Sequence, residues 1–196
     1  GFNDWFNVFP SDDLLNEYEE GDIRFEQSFY VNGDTFGPDS TLTVDHFPSN
    51  AGGNAGWSKY NNYYKDANED QTSGINFKYM RYADVLLMMA ECESMRPGGD
   101  QDTAVGLINQ VRERAGLDPL PTGLSQTQVF DALIHERKVE LAGEQCRFND
   151  IIRWGVSDTE LAGTNFQAGK HELLPIPQAE IDANINLTSA DQNPGY

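Results

Sequence analysis

The chain is short of positive charge: 13 Lys and Arg stand against 32 Asp and Glu in 196 residues, for a formal net charge of -19. A nucleic-acid backbone or an anionic membrane surface needs a basic footprint, so this balance argues against both as partner and in favour of a solvated, soluble exterior. Cysteine is scarce. Cys92 and Cys146 fall in helical-looking stretches and are expected as free buried thiols rather than one long-range bridge; two residues leave the redox compartment open. The three histidines, His46, His135 and His171, are scattered, with no H-x-x-x-H spacing and no cysteine partner, so a zinc site lacks a ligand set. No run approaches the roughly 18 apolar residues of a membrane-spanning helix, and no basic segment leads into an apolar one as in a signal peptide. The chain also begins at Gly1 without an initiator Met, as a processed product or a piece of a longer protein would.

What is present is enough apolar residue for one sizeable core, and one domain is the expectation at this length. Pro10-Ser11-Asp12-Asp13 is a helix-start signature and predicts a short helix over Asp12 to Glu20, ended by Gly21. Asp22 to Phe25 alternates polar with apolar, as a short strand or extended segment does. Residues 29–76 are rich in Gly, Asn, Asp, Ser and aromatics and predict a long loop with at most short strands, such as Thr41 to Val44; that aromatic content argues against disorder. From Phe77 the pattern turns helical. KYMRYADVLLMMAEC is apolar nearly all round, as for a helix enclosed by others, and Arg96-Pro97-Gly98-Gly99-Asp100 breaks it. Ala104, Ile108, Val111 and Ala115 form the packing stripe of the next helix, stopped by Gly116, so residues 77–116 make a helix hairpin of tetratricopeptide-like length. Such units normally stack in threes or more, and no second copy is found, which places this hairpin's neighbours in sequence outside the chain. Ser125-Gln126-Thr127-Gln128 fits a capping box, with Leu124 and Val129 as its hydrophobic staple. The helix it starts should run to about Gly143 or Glu144, with a further helix over Arg147 to Trp154, giving a second pair within 124–155. Residues 156–196 form an extended C-terminal wrap, in which the prolines of Leu173 to Pro177 forbid a central strand and Gln178 to Asn184 forms a turn or two of helix.

The densest stretch is Glu136 to Gly155, ERKVELAGEQCRFNDIIRWG. Glu136, Glu140 and Glu144 recur every four residues and share one helix face, with Arg137, Arg147, Asp150 and Arg153 as nearby partners. Apolar neighbours predict that the segment is largely enclosed, with Trp154 closing the core, and a buried charge needs a mate because an unpaired one costs several kcal/mol. The segment is therefore a structural hub. A glycosidase would require two carboxylates across a cleft, about 5 to 9.5 Å apart, one kept protonated. Glu136 and Glu140 meet the spacing, but the arginines crowded around both favour the ionised forms and remove the proton donor.

Several ordered motifs together resemble the C-terminal half of the SusD/RagB family. They are Arg81 to Glu91, Asn109 to Leu117, the Glu136 to Gly155 block as ER-x-x-EL-x-x-E-x-x-R-x-x-D-x-x-RW, Leu173 to Pro177 with Glu180-Ile181, and the terminal Gln192 to Tyr196. Tyr18, Asp22 and Arg24 match a Y-x-x-x-D-x-R segment. The sequence departs from the pattern at Gln145-Cys146, where a glycine usually follows the glutamate, and at Asn184 to Leu187, where an N-P turn is absent. The resemblance implies a mainly α, SusD-like fold with one tetratricopeptide-like helix pair, a second pair and long irregular loops with short strands. It further implies a surface glycan-binding lipoprotein of Bacteroidota-type outer membranes, non-catalytic, that delivers oligosaccharides to a SusC-like TonB-dependent transporter. Family members are two to three times this length, and the lipid anchor and further helix pairs belong to an N-terminal half that is not in this sequence.

Sugar sites combine aromatic faces, which pack on the C–H face of a ring, with polar groups that bond its hydroxyls. Asn54 to Lys65 is the densest match: Trp57, Tyr60, Tyr63 and Tyr64 are candidate stacking platforms, and Asn54, Asn61 and Asn62 candidate hydroxyl partners. The competing explanation is that these aromatics pin a long loop to the helices, which leaves a helical protein-interaction scaffold as the alternative function. No cofactor is expected. Asp66, Asn68 and Asp70 fit positions 1, 3 and 5 of an EF-hand, but Gln71 stands where glycine is required and Phe77 where a bidentate Glu belongs, leaving only an irregular calcium site open.

Overall fold

The computed structural model describes residues 8–36, 40–41, 55–59, 76 and 78–196, with backbone alone at 35–36 and 40–41. The elements are α1 (Asp12–Glu17), α2 (Arg24–Ser28), β1 (Phe29–Val31), β2 (Thr35–Phe36), β3 (Ser40–Thr41), β4 (Ala55–Trp57), α3 (Tyr82–Met95), α4 (Gln101–Arg114), α5 (Gln126–Glu140), α6 (Arg147–Trp154), α7 (Ser157–Glu160), α8 (Gln178–Ala183) and a 3-10 turn at Ser189–Asp191. The fold is mainly helical, and its chain forms two compact units, residues 1–145 and 146–196. Of the predicted strand Thr41 to Val44, Ser40–Thr41 is strand and residues 42–44 lie outside the described residues.

In the first unit α3, α4 and α5 pack together around Leu86, Leu87, Ala90, Val105, Ile108, Val111, Val129 and Leu133, all buried. Each buried Leu, Ile or Val side chain among them stabilises by about 1.5–3 kcal/mol. The predicted stripe of α4 is buried throughout, from Ala104 to Ala115. Local chemistry fixes the helix ends. The Asp100 carboxylate accepts the Asp102 N–H at 3.1 Å, and at the start of α5 the capping box forms, with Gln128 Oε1 accepting the Ser125 N–H at 2.9 Å. Val129 is buried and Leu124 packs against the same core, as a staple requires.

Several expectations are corrected by the structure. Asp22 to Phe25 is not a strand: Asp22 Oδ1 accepts the Arg24 backbone N–H at 2.9 Å and the Phe25 N–H reaches the Asp22 carbonyl at 3.2 Å, a turn that leads directly into α2. Helix α3 is not enclosed on every side by the described residues. Ala83, Leu86, Leu87 and Ala90 are buried, whereas Tyr82, Met89 and Met95 are exposed, so an apolar composition overstated its burial. Nor are the cysteines buried thiols; both are free, Cys92 exposed and Cys146 half-buried.

Strands β1 and β4 pair antiparallel with Phe29 opposite Trp57, and the pairing continues as the Ser58 N–H donates to the Ser28 carbonyl at 2.8 Å. Tyr18, Phe25, Phe29 and Trp57 form a chain of aromatic contacts with centroids 5.1–5.6 Å apart. The Trp57 ring lies on Gly143, just past α5: a Cβ there would meet Trp57 Cζ3 at 2.9 Å, and φ is +76°. Only glycine suits both demands.

The second unit is smaller. In α6, Asp150 and Ile151 are the buried residues, and Gly155 ends the helix in the left-handed conformation at φ +69°. Trp154 is half-buried rather than a core plug: the Arg153 guanidinium sits 4.6 Å from its ring centroid and Arg147 lies at 6.0 Å. Arg153 also donates to Asp150 at 2.9 Å, and Arg147 pairs with Glu160. Near the C-terminus, Gln192 bonds both backbone groups of Ile176, at 2.7 and 2.9 Å, which holds the extended proline segment without a strand partner.

Candidate functional site

Helix α5 ends at Glu140, and the turn that follows carries Glu144, one helical turn further along. All three carboxylates of the predicted row are buried: Glu136 at 0% exposure, Glu140 at 3% and Glu144 at 7%. Their charges are met by cations from four other places in the first unit. Arg24 forks onto Asp22 through Nε and Nη2, at 2.8 and 2.7 Å, and its Nη1 donates to Glu136 at 2.6 Å and Glu140 at 3.0 Å. Arg81 reaches Glu140 at 2.8 Å and holds Glu144 through two bonds of 2.7 and 2.8 Å. Arg112 joins Glu136, at 3.4 Å, to Glu19, at 2.6 Å. Arg114 bonds Glu140, and Lys59 bonds Glu144 at 2.5 Å. The sequence placed the partners of Glu136 and Glu140 inside the block, and that is corrected: they come from α2, from the residue before α3 and from α4, because α5 turns this face toward those elements. Within the block, Arg137 instead pairs with Asp84 of α3 at 2.8 Å.

Lys59 does a second job. Its Nζ donates to the carbonyls of Glu140 and Ala142 at 2.9 and 3.0 Å, and Arg81 Nη2 donates to the Glu140 carbonyl at 3.0 Å. These are orphan acceptors at the C-terminus of α5, where the helix dipole also favours positive charge. Titration behaviour follows from this setting. Burial works to lower the pKa of Arg24 and Arg81, but the bonds that Arg24 donates to Asp22 and Glu136, and Arg81 to Glu144 and Glu140, outweigh it and raise both above the ordinary arginine value. Burial pushes the Glu136 carboxyl up against the pull of Arg24 and Arg112. Glu144 is buried too, yet the bonds from Arg81 and Lys59 outweigh that and hold it below the usual carboxylate range. Burial draws Lys59 down despite Glu144.

Against this cluster opens a cleft of about 240 Å³. Arg24, Lys59, Lys78, Arg81 and Arg114 line it together with Glu140, and Gln27 and Ser28 add neutral polar groups. In sequence, Lys59 and Lys78 flank residues 60–77, the stretch that holds three of the four candidate stacking aromatics. A larger hollow of about 480 Å³ lies between α1 and α2, where Leu15, Tyr18, Ile23 and Phe25 meet the acidic rim of Glu19, Glu20 and Glu26.

Of the predicted ligand residues, Trp57 alone is described: it is half-buried in β4, its ring against Phe29 and Gly143. Asn54, Tyr60, Asn61, Asn62, Tyr63 and Tyr64 lie outside the described residues, as do Asp66, Asn68 and Asp70 of the calcium test. The described residues contain no cluster of metal-ligating side chains and no helix long and apolar enough to cross a membrane. The cations that meet the glutamate row were present in the sequence as a signal. Arg24 and Arg81 stand in two motifs of the resemblance and Arg112 and Arg114 in a third, and the structure joins those three motifs at one point.

Helix pairs, short two-stranded sheets and a buried ion network with a polar cleft define a mainly helical scaffold. Comparison with known proteins gives the class a family: the SusD family model matches residues 7–170, and the chain belongs to that family. It is 37% identical over 152 residues to SusD-like protein P2 of Formosa agariphila, a match that covers 68% of this chain and 29% of that protein. Among solved structures it is similar to a SusD superfamily protein from Bacteroides vulgatus, with TM-score 0.80, 26% identity, 99% of this chain and 45% of that one. It is also similar to a laminarin-binding SusD-like protein, with TM-score 0.65, 28% identity, 95% of this chain and 38% of that one. The chain thus spans less than half the length of these relatives.

Proposed function

We propose that this chain is the C-terminal portion of a non-catalytic glycan-binding protein of the cell surface. The parent protein would be held at the outer membrane by a lipid anchor on its N-terminal part and would pass oligosaccharides to a SusC-like TonB-dependent transporter. The observation that carries the reading is the polar cleft at the end of α5, bordered by Lys59 and Lys78, the residues that bracket the aromatic stretch 60–77. The laminarin-binding relative lends it support. Trp57, Tyr60, Tyr63 and Tyr64 would stack on sugar rings, with Asn54, Asn61 and Asn62 on their hydroxyls. Catalysis is disfavoured because guanidinium groups engage both oxygens of Glu136 and of Glu140, leaving neither positioned to protonate a glycosidic oxygen.

Calorimetry of the full-length protein against a polysaccharide panel tests this. A soluble glycan should bind, and Tyr60→Ala should weaken it about tenfold, equivalent to ~1.4 kcal/mol. If no glycan binds, or if Tyr60→Ala and Trp57→Ala alter stability alone, the capture reading fails. A protein-interaction scaffold would then be favoured, and the exposed Tyr82, Met89 and Met95 of α3 are the surface to test for it.

A further inference from the structure

The charged cluster at the end of α5 is layered. Its carboxylates lie inside, with side-chain exposures of 1% for Asp22, 0% for Glu136, 2% for Glu140 and 4% for Glu144. Of its cations, Arg24 and Arg112 are buried with them, at 5% and 7%, whereas Lys59 at 19%, Arg81 at 23% and Arg114 at 51% form an outer layer. The cleft opens on the outer layer. Five cations and one carboxylate line it, in a chain whose formal net charge is -19. Lys78 adds a charge that the inner layer does not balance: it is exposed and makes no hydrogen bond or ion pair among the described residues.

We infer that this cleft is an oxyanion site, and that the glycan taken by the protein carries carboxylate or sulfate groups. The inference rests on the glycan-capture reading and specifies its substrate class. Coulomb energy falls with distance and solvent screens it over about 8 Å, so an anion inside the cleft feels the nearby ammonium and guanidinium groups more than the acidic exterior or the carboxylates behind them. Arg81 and Arg114 are held in place by those carboxylates, so little order remains to be imposed when an oxyanion docks. Guanidinium groups suit planar carboxylates and sulfates, Lys78 supplies a flexible point charge, and the exposed Gln27 amide lines the same cleft within reach of ring hydroxyls. At about 240 Å³ the space is smaller than the ~300–1,000 Å³ of a drug-sized ligand site. It holds one charged sugar unit of a chain whose remainder lies outside.

The test compares oligogalacturonate with its methyl ester, which keeps the sugar backbone and removes the charge, using the full-length protein, with laminarin oligosaccharide as neutral control and inorganic phosphate as a free oxyanion. The free acid should bind at least tenfold tighter than its ester. Lys78→Glu should weaken the free acid about tenfold and Lys78→Gln a few fold, with no change in the urea unfolding midpoint. Equal affinity for acid and ester, or indifference to Lys78→Glu, overturns the inference, and the capture reading survives that result if the ester or laminarin binds. Phosphate binding as tightly as the oligomer overturns the glycan assignment of the site. If no glycan of either kind binds, both readings fall.

Discussion

The two halves of α5 fill the same protein interior by opposite means. Its first half presents Val129 and Leu133, each 1% exposed, to the aliphatic side chains of α3 and α4. Its second half presents Glu136 and Glu140, just as deeply buried, to Arg24, Arg81, Arg112 and Arg114. The apolar half gains from removing surface from water and is indifferent to the identity of its neighbours so long as volume is conserved. The charged half gains little net energy over an apolar filling, because desolvation consumes most of the Coulomb attraction, but it fails badly when one partner is missing. One half therefore supplies stability, and the other fixes which elements meet. Arg24 brings α2, Arg81 the start of α3 and Arg112 α4 to a single face of α5.

Removing a partner should have the largest effect. Arg24→Ala strands Asp22 without its cation and takes a bond from each of Glu136 and Glu140, so urea unfolding should show a loss of about 3–5 kcal/mol. Leu133→Ala, the matching cut in the apolar half, should cost ~2–4 kcal/mol through lost burial and a residual cavity. The comparison breaks if the Arg24 deletion proves mild while Leu133→Ala is severe. A smaller effect, in the turn just past the charged half, sets that end of α5 apart from the apolar half by pH. Glu144 is held below the ordinary carboxylate range, so its contribution is present above the unfolded value near 4.3 and is lost as pH falls through the lower folded value. Glu144→Gln should flatten that acid limb, by ~1–2 kcal/mol at neutral pH, whereas Leu133→Ala should leave its shape unchanged. The smallest expected effect is at Gln145, which sits at φ +64°. Left-handed backbone costs a side-chain-bearing residue roughly 1–2 kcal/mol, part of which glycine returns as chain entropy, so Gln145→Gly should raise stability by about 0.5 kcal/mol.

That last position shows how the sequence reading worked. The family pattern puts a glycine after the glutamate, this chain has Gln145, and the backbone there takes the conformation glycine prefers. Helix ends were legible because capping chemistry is local: Ser125 with Gln128, and Asp100 before α4, act over three residues or fewer. The charge cluster was half legible. A row of glutamates four apart announced one face, and arginines stood in the other motifs, but which arginine meets which glutamate is decided by helix packing across 24 to 116 residues of sequence. Tyr18, Asp22 and Arg24 carried the faintest resemblance, yet they dock the start of the chain on α5: the Tyr18 hydroxyl donates to the Val139 carbonyl at 2.9 Å and Arg24 reaches two glutamates. Misreadings arose where composition stood in for context. Asp22 to Phe25 alternates like a strand but is turned by an aspartate side chain, and α3 is apolar on a face that the described residues leave exposed. Of the candidate sugar-binding residues, Trp57 is described, and its ring packs on Phe29 and Gly143.

The claim that buried charge fixes this architecture is tested most directly by a double-mutant cycle on Arg24 and Glu136, whose side chains meet at 2.6 Å with 5% and 0% exposure. Unfolding free energies of Arg24→Met, Glu136→Gln and the double variant should reveal a coupling of about 1–3 kcal/mol. Additivity within ~0.5 kcal/mol would show that the two charges do not act together, and would contradict it.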